Sequence, residues 1–330
     1  MNRQGKMLLI LIIFISLFVP FQKGPVRIMK NFLILFLITI LFCLSSCDEI
    51  VYEEDWEPIY SETEEIPVSG EAPVSVPEIP EQPAEAISKP EPIEQTALSL
   101  GLDRTKTGFG YSPNQENKQV SIGQKYEDMI TKYGGFFIDR ANTNNIYLTM
   151  DEGYENGYTP MILDTLKEKG VQCTFFVTKS YVDRNPELIK RMIDEGHIVG
   201  NHSVNHKSMP TLTDEEAKSE IMELHKEILT KYGYTMKYFR PPMGEYSESS
   251  LYTAQSAGYR SVFWSFAYRD WETDNSRGKD YAIESVNNGI HNGCVILLHA
   301  VSKDNAEGLG EIIDSLRAKG YVFASLDDIK

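Results

Sequence analysis

One structural unit recurs from residue 146 to the end of the chain: a short apolar run, a loop, a helical pattern and a glycine. Seven runs have the composition of buried strands, at residues 146–150, 173–177, 198–200, 238–240, 260–265, 295–298 and 321–325. Glycine favours the left-handed position just past a helix, so helix ends are expected before Gly170, Gly196, Gly233, Gly258 and Gly320. Strands that alternate with helices form parallel sheets. The pattern therefore predicts an α/β fold, namely a distorted seven-stranded (β/α) barrel.

Charge is distributed unevenly along the 330 residues, whose formal net charge is −16. Residues 1–47 contain five basic and no acidic side chains, whereas residues 48–98 contain fifteen acidic side chains and one lysine. Residues 99–330 carry only −7. Because no basic stripe is available to meet phosphates, we expect no binding to nucleic acid.

The N-terminal segment, residues 1–47, has the layout of a secretory signal or membrane anchor. Met29-Lys30-Asn31 precedes an apolar run at residues 32–44, and Leu44-Ser45-Ser46-Cys47 follows it. That order is typical of a signal, and Leu-Ser-Ser-Cys resembles a bacterial lipobox, which predicts lipidation at Cys47. An uncleaved anchor helix is the alternative, and Met29 is a second candidate for the start. The lipidated form and the uncleaved anchor helix both predict a membrane-anchored, extracytoplasmic protein.

The remaining chain divides into three parts by composition. Residues 48–98 hold eight of the sixteen prolines and little periodic apolar sequence, which predicts a disordered acidic tether. Residues 99–144 are expected to be an N-terminal extension that packs on the barrel, with a short helix at 124–133. Residues 145–330 form the barrel. Cys173 and Cys294 lie in apolar runs, where two buried free thiols are favoured over a disulfide.

Chemically active side chains follow several of the predicted strands. The active site of a parallel α/β barrel lies at the carboxyl ends of its strands. The residues at those ends are Asp151 and Glu152, then His202 and His206, Arg240, Asp270 with Trp271, and His299.

Each of these residues has a functional and a structural interpretation. His202 and His206, spaced i and i+4, can share a helical face and bind a divalent metal, or they can be surface histidines on a turn. Arg240 can hold Asp151 ionised, or it can form a surface salt bridge. A buried His299 needs a partner, and Asp270 would orient it for proton transfer.

The other three histidines are interpreted as structural. They are His197, His225 and His291. His225 lies in a charged helical pattern and is expected to face solvent.

Five motifs, in order, resemble the polysaccharide deacetylases with a nodulation-type deacetylase domain. They are Thr149-Met150-Asp151-Glu152-Gly153, His202-Ser203-Val204-Asn205-His206, Arg240-Pro241-Pro242-Met243-Gly244, Asp270-Trp271 and Leu297-Leu298-His299. Within that family, the segments at 152–158, 300–307 and 126–133 are most similar to the peptidoglycan de-N-acetylases that form muramic δ-lactam in spore cortex.

The resemblance implies a metal centre and an acid–base pair. His202 and His206 would bind a divalent ion, zinc by first choice, together with the carboxylate at Glu152, where most of the family has Asp. Asp151 would be the general base and Arg240 its positioning partner.

The same resemblance assigns the other end of the site. His299 would protonate the leaving amine, steadied by Asp270. The backbone N–H of Met243 would stabilise the oxyanion, and Trp271 and Leu297 would line the acetyl pocket.

These expectations describe a monomeric peptidoglycan de-N-acetylase that acts on N-acetylmuramic acid. Two alternatives stay open: a deacetylase of N-acetylglucosamine in peptidoglycan or chitin-like oligosaccharides, and a wall-glycan binding protein with little turnover. A glycosidase is disfavoured, because adjacent Asp151 and Glu152 cannot flank a glycosidic bond.

Overall fold

The computed structural model describes residues 97, 100–112, 116–141 and 143–329. The predicted leader with Cys47 lies outside the described residues, and so does the predicted tether except for Ala97. Within the part of the chain that the structure describes, no helix is long and apolar enough to cross a membrane.

Nine strands and eight α-helices make up the described chain. The strands are β1 (Thr107–Gly108), β2 (Asn145–Glu152), β3 (Thr174–Val177), β4 (Ile198–Asn201), β5 (Tyr238–Phe239), β6 (Glu245–Tyr246), β7 (Arg260–Ser261), β8 (Val295–His299) and β9 (Val322–Phe323). The helices are α1 (Gln124–Lys132), α2 (Thr159–Lys169), α3 (Lys179–Arg184), α4 (Pro186–Asp194), α5 (Asp214–Tyr232), α6 (Glu248–Ser256), α7 (Lys279–Gly289) and α8 (Lys303–Ala318).

Seven strands form one curled parallel sheet in the order β7-β5-β4-β3-β2-β8, and β9 pairs with the start of β2. The chain after β7 closes the ring, because Ser265 N–H donates to Val295 O at 2.9 Å and Leu297 N–H donates to Phe266 O at 2.8 Å. The predicted α/β architecture, a distorted seven-stranded (β/α) barrel, is confirmed. Four strands are shorter than predicted: β3 begins at Thr174, β5 ends at Phe239, β7 ends at Ser261, and β9 spans only Val322–Phe323.

Helix ends follow the local signals in the sequence. Gly170 and Gly233 adopt left-handed conformations at the ends of α2 and α5, where a side chain would be strained. Thr213 and Glu216 form a reciprocal capping box at the start of α5. Such caps fix where each helix begins and therefore where the preceding loop ends.

Strand β2 is longer than predicted and includes both carboxylates of the first motif. Side chains alternate between the two faces of a strand. Tyr147 belongs to the cluster inside the barrel, whereas Leu148 and Met150 belong to the large cluster between the sheet and the helices. Asp151 therefore continues the inner face, and Glu152 continues the outer face.

Residues before β2 pack on one side of the barrel. Helix α1 contributes Ile130 to a buried aromatic cluster that includes Phe109, Phe137 and Phe263. Strand β1 pairs antiparallel with β6, a ribbon that the sequence pattern did not predict. The predicted free thiols are confirmed, since Cys173 and Cys294 are both buried and unpaired.

Candidate active site

Asp151 and Arg240 form a buried ion pair inside the barrel. Arg240 Nη1 donates to Asp151 Oδ1 at 2.6 Å, and both side chains are almost fully buried. Arg240 Nη2 donates to Thr149 Oγ1 at 2.8 Å, while Nε donates to Val262 O at 3.2 Å. The guanidinium also lies 4.1 Å from the centre of the Phe176 ring. These contacts fix the orientation of the guanidinium. Arg240 lies beside Asp151, as the sequence predicts.

The ion pair keeps Asp151 in the form that a general base requires. Burial alone would raise the pKa of Asp151, but the charge of Arg240 and its hydrogen bond lower that pKa below its ordinary value. The second oxygen, Oδ2, lies 3.5 Å from His202 Nε2. Asp151 therefore presents an ionised carboxylate toward the histidine pair.

His202 and His206 converge through a bent loop and not through a helix, so the predicted shared helical face is wrong. Residues 202–208 contain no helix, and Ser203 and His206 have φ values of 69° and 53°. Left-handed conformations of non-glycine residues are strained. Asn201 stabilises the bend, because its Oδ1 accepts from Ser203 N–H at 2.9 Å and its Nδ2 donates to Ile221 O at 2.8 Å.

The two imidazoles fit a divalent ion. His202 Nε2 and His206 Nε2 are 3.2 Å apart, about the separation of two nitrogens that bind one tetrahedral ion at roughly 2.0–2.1 Å. His202 Nδ1 lies 2.9 Å from Arg240 O, and a carbonyl only accepts, so His202 Nε2 carries the lone pair. Burial, with the charge of His202 as a smaller cause, lowers the pKa of His206 to about 3. Burial also lowers the pKa of His202, so both rings favour the neutral form that metal ligands need.

Glu152 does not join the two histidines. Among the described residues, no set of three or more His, Cys, Asp and Glu side chains is arranged to hold a metal ion. The Glu152 side chain is fully buried, and neither carboxylate oxygen has a hydrogen-bond partner among the described residues. Burial raises its pKa well above the ordinary value, and the charges of Glu155 and Asp151 add to the shift. The outer-face position that strand alternation gives Glu152 explains why it cannot follow Asp151 into the barrel.

His299 and Asp270 form a second oriented pair. Asp270 Oδ1 lies 2.7 Å from His299 Nδ1, and Asp270 Oδ2 accepts from His299 N–H at 2.8 Å. Burial would lower the pKa of His299, but the charge and hydrogen bond of Asp270 outweigh it and raise that pKa above its ordinary value. The arrangement favours a protonated imidazole, which suits a general acid.

The three remaining predicted contacts with substrate lie at different depths. Met243 is 47% exposed and has a left-handed φ of 57°. Trp271 is 39% exposed, and its ring centre lies 5.4 Å from that of His299. Leu297 is buried on β8, two residues before His299 and on the same face. Trp271 thus lies on the solvent side of His299, and Leu297 lies on its buried side.

The histidines interpreted as structural have protein partners. His197 Nδ1 accepts from Cys173 N–H at 3.2 Å, and His291 Nδ1 donates to Asn292 O at 3.0 Å. His225 differs from the prediction, since it is half-buried and its Nδ1 lies 2.6 Å from the Tyr259 hydroxyl.

Three supporting residues were not among the predicted site residues. Thr149 connects Arg240 to the sheet, because its hydroxyl donates to Ile296 O at 2.6 Å. Asn305 Nδ2 donates to Asp270 Oδ2 at 2.6 Å. Asn201 forms the bend described above. Thr149 belongs to the first motif and Asn201 precedes the second, so motif adjacency is the one signal that favours these two.

An ionised base, a protonated acid and two neutral histidines at the carboxyl ends of barrel strands are the parts of a hydrolase that cleaves an amide. Comparison with known proteins makes that class more specific. The family model described as "Polysaccharide deacetylase" matches residues 139–262. A peptidoglycan-N-acetylmuramic acid deacetylase, PdaA of Bacillus subtilis (strain 168), is 42% identical over 225 residues, covering 67% of this chain and 84% of that protein. The chain belongs to the polysaccharide deacetylase family.

Two solved structures agree with this assignment. The structure of Bacillus subtilis PdaA, titled as a family 4 carbohydrate esterase, has a TM-score of 0.68 and 41% identity, with 69% of this chain and 98% of that chain covered. A protein of Bacillus anthracis titled as a pseudoenzyme of the same esterase family has a TM-score of 0.56 and 26% identity, covering 59% and 68% of the two chains. The chain is thus similar both to a named deacetylase and to a relative titled as a pseudoenzyme.

Proposed function

We propose that this protein removes acetyl groups from N-acetylmuramic acid in peptidoglycan, on the route to muramic δ-lactam. The observation that carries the proposal is the joint presence of an ionised Asp151 and a His299 with a raised pKa on one rim of the barrel. The similarity over 84% of a peptidoglycan-N-acetylmuramic acid deacetylase supports this choice of substrate.

The residues divide the reaction between the two ends of the site. Asp151 takes the proton from an attacking water while Arg240 holds its other oxygen. The Met243 N–H stabilises the oxyanion that develops on the acetyl group, and Trp271 with Leu297 encloses its methyl. His299, oriented by Asp270, then protonates the leaving amine.

His202 and His206 would hold a divalent ion, and we infer zinc because two imidazoles at this spacing suit it. A bound ion supplies Lewis-acid polarisation of the amide carbonyl and makes water easier to deprotonate. Enzymes of this family depend on a metal in general. With two protein ligands in place of the usual three, we expect weak binding and more water in the coordination shell.

The N-terminal residues complete the proposal. We propose that residues 1–47 export the protein and anchor it to the membrane, through lipid on Cys47, and that the acidic residues 48–98 tether a monomeric catalytic domain near the wall. The charge distribution and the order of Met29, the apolar run and Cys47 support this organisation.

The experiment measures acetate release from intact and peptide-stripped peptidoglycan, with and without a chelator. The proposal predicts release that stops on chelation and returns with zinc. No release under any condition would contradict it.

A wall-glycan binding protein without turnover is the second candidate. Two observations favour it: Glu152 does not reach the histidine pair, and one similar structure is titled as a pseudoenzyme. Binding of the glycan without acetate release, in the presence of added zinc, is the result that this candidate predicts.

A further inference from the structure

A small cavity of about 70 Å³ lies beside the acid pair. Its wall comes from the loop after β2, the segment between Tyr268 and Tyr281, and the start of α8. Asp270 belongs to this wall and also contacts His299. A ligand in the cavity would therefore lie next to the group that we assign as the general acid.

The acidic side chains around the cavity already have partners. Asp270 accepts from His299 N–H and Asn305, and Glu272 lies 3.3 Å from Arg269. Asp304 accepts from Ser276 Oγ at 2.6 Å, from Arg277 N–H at 2.7 Å and from Gly278 N–H at 2.9 Å. These contacts orient the three carboxylates toward protein groups.

Two basic side chains in the wall, Arg277 and Lys303, are only weakly paired with carboxylates of the described chain. No carboxylate of the described chain lies within salt-bridge distance of the Arg277 guanidinium, whose Nη1 donates to the Tyr281 hydroxyl at 2.8 Å. Lys303 lies 3.7 Å from Glu307, and both side chains are about half exposed, so this pair contributes little. The wall contains three cationic and three anionic side chains, and Arg277 and Lys303 are the cations with the weakest pairing to carboxylates of the described chain.

Arg277 is also held in place before any ligand arrives. Its backbone N–H is bound by the buried Asp304, and its guanidinium packs 4.8 Å from the centre of the Tyr281 ring. Holding a cation in position reduces the entropy lost when an anion binds. A planar guanidinium suits a carboxylate in particular, because it donates two parallel hydrogen bonds.

We propose that Arg277 and Lys303 bind the lactyl carboxylate of N-acetylmuramic acid in this cavity and so distinguish it from N-acetylglucosamine. The inference rests on the proposed function. The lactyl ether sits on the ring carbon next to the one that bears the acetamido group, so its carboxylate must lie close to whichever residue protonates the amine. The cavity shares Asp270 with that residue.

A second observation points to the same place. Two of the three segments that carry the resemblance to δ-lactam-forming enzymes, 152–158 and 300–307, contribute to this wall. They are joined there by a hydrogen bond from Asn156 Nδ2 to Val301 O at 2.9 Å. These two segments are therefore in contact at the proposed anion site.

The test compares Arg277→Gln with wild type on two substrates, a peptide-stripped glycan with free lactyl carboxylates and an N-acetylglucosamine oligomer. Loss of a charge-assisted pair should lower kcat/KM for the muramic substrate about 10–100-fold, mainly through KM. The rate on the glucosamine oligomer should not change, and Arg277→Lys should lose less than Arg277→Gln. Lys279→Gln is the matched control, because Lys279 is an exposed cation nearby that pairs with Glu311 outside the cavity.

An equal loss on both substrates, or no loss on either, would overturn the inference. Nuclear magnetic resonance titration with the monosaccharides N-acetylmuramic acid and N-acetylglucosamine gives a readout that needs no turnover. A preference for N-acetylmuramic acid that Arg277→Gln abolishes supports the site even if acetate is never released, in which case only the proposed activity fails. Equal binding of both sugars to wild type contradicts the site.

Discussion

Asp151 and Glu152 are consecutive residues of one strand with opposite environments. Both side chains are buried, with exposures of 6% and 0%. Asp151 faces the barrel interior, where Arg240 Nη1 lies 2.6 Å away and lowers its pKa. Glu152 faces the helices, where its oxygens have no partner among the described residues and burial raises its pKa well above normal.

The difference between the two carboxylates comes from a partner and not from burial. A buried carboxylate loses the hydration of its charge, so it stays ionised only where another group replaces that stabilisation. Arg240 does so on the inner face. On the outer face the Tyr181 hydroxyl lies 3.1 Å from Glu155 Oε2 and 3.2 Å from Thr159 Oγ1. Burial therefore favours the protonated form of Glu152, whereas Arg240 favours the ionised form of Asp151 that we propose acts as the base.

The largest expected effect comes from exchanging each carboxylate for its amide. Asp151→Asn removes the general base, so acetate release should fall by about 10²–10⁴-fold. Glu152→Gln should leave the rate close to that of wild type, because the side chain is already neutral. Initial rates on peptide-stripped glycan measure both, with circular dichroism as the control for folding. Equal losses of activity in Asp151→Asn and Glu152→Gln would contradict the different roles given to the inner-face and outer-face carboxylates.

A smaller effect is expected from Asp270→Asn. Asp270 raises the pKa of His299, and the proposed reaction needs the protonated ring. The alkaline limb of the variant's pH profile should therefore lie at lower pH than that of wild type. Its maximal rate should also fall at least about tenfold. The pH profile of kcat checks this. An alkaline limb that does not move would show that His299 is not the titrating acid.

The smallest effect concerns stability and Glu152. Its pKa is raised by folding, so the native chain holds a proton that the unfolded chain releases above about pH 4.3. Wild type should therefore lose stability relative to Glu152→Gln as pH rises from 5 to 8, by at most about 1.4 kcal/mol per pH unit. Urea unfolding of both proteins across this range measures the difference. Parallel pH profiles would mean that Glu152 is ionised in the fold.

The sequence predicts the order of the barrel and the residues on its rim, because apolar runs, glycine positions and strand ends are local signals. It misplaces the side chains that depend on conformations without such signals. The left-handed φ values of Ser203 and His206 replace the helical face predicted from their spacing. Glu152 was expected to follow Asp151 toward the metal, but β2 continues through residue 152, so alternation sends it outward.

Supporting contacts between distant parts of the chain are the hardest to predict. Asn305 reaches Asp270 across 35 residues and Arg240 reaches Thr149 across 91. The sequence around Asn305 and Thr149 does not identify these partners, because the contacts form only when the barrel closes.

Zinc binding tests the separation of the two faces most directly. The measurement is calorimetric titration of metal-free wild type, Glu152→Gln and His206→Ala with zinc, which needs no substrate. If the ion binds His202 and His206 and not Glu152, as we propose, the dissociation constant of Glu152→Gln should match that of wild type, while His206→Ala should bind at least about tenfold more weakly. A comparable loss of affinity in Glu152→Gln would show that Glu152 is a ligand and would contradict the placement of the two carboxylates on opposite faces.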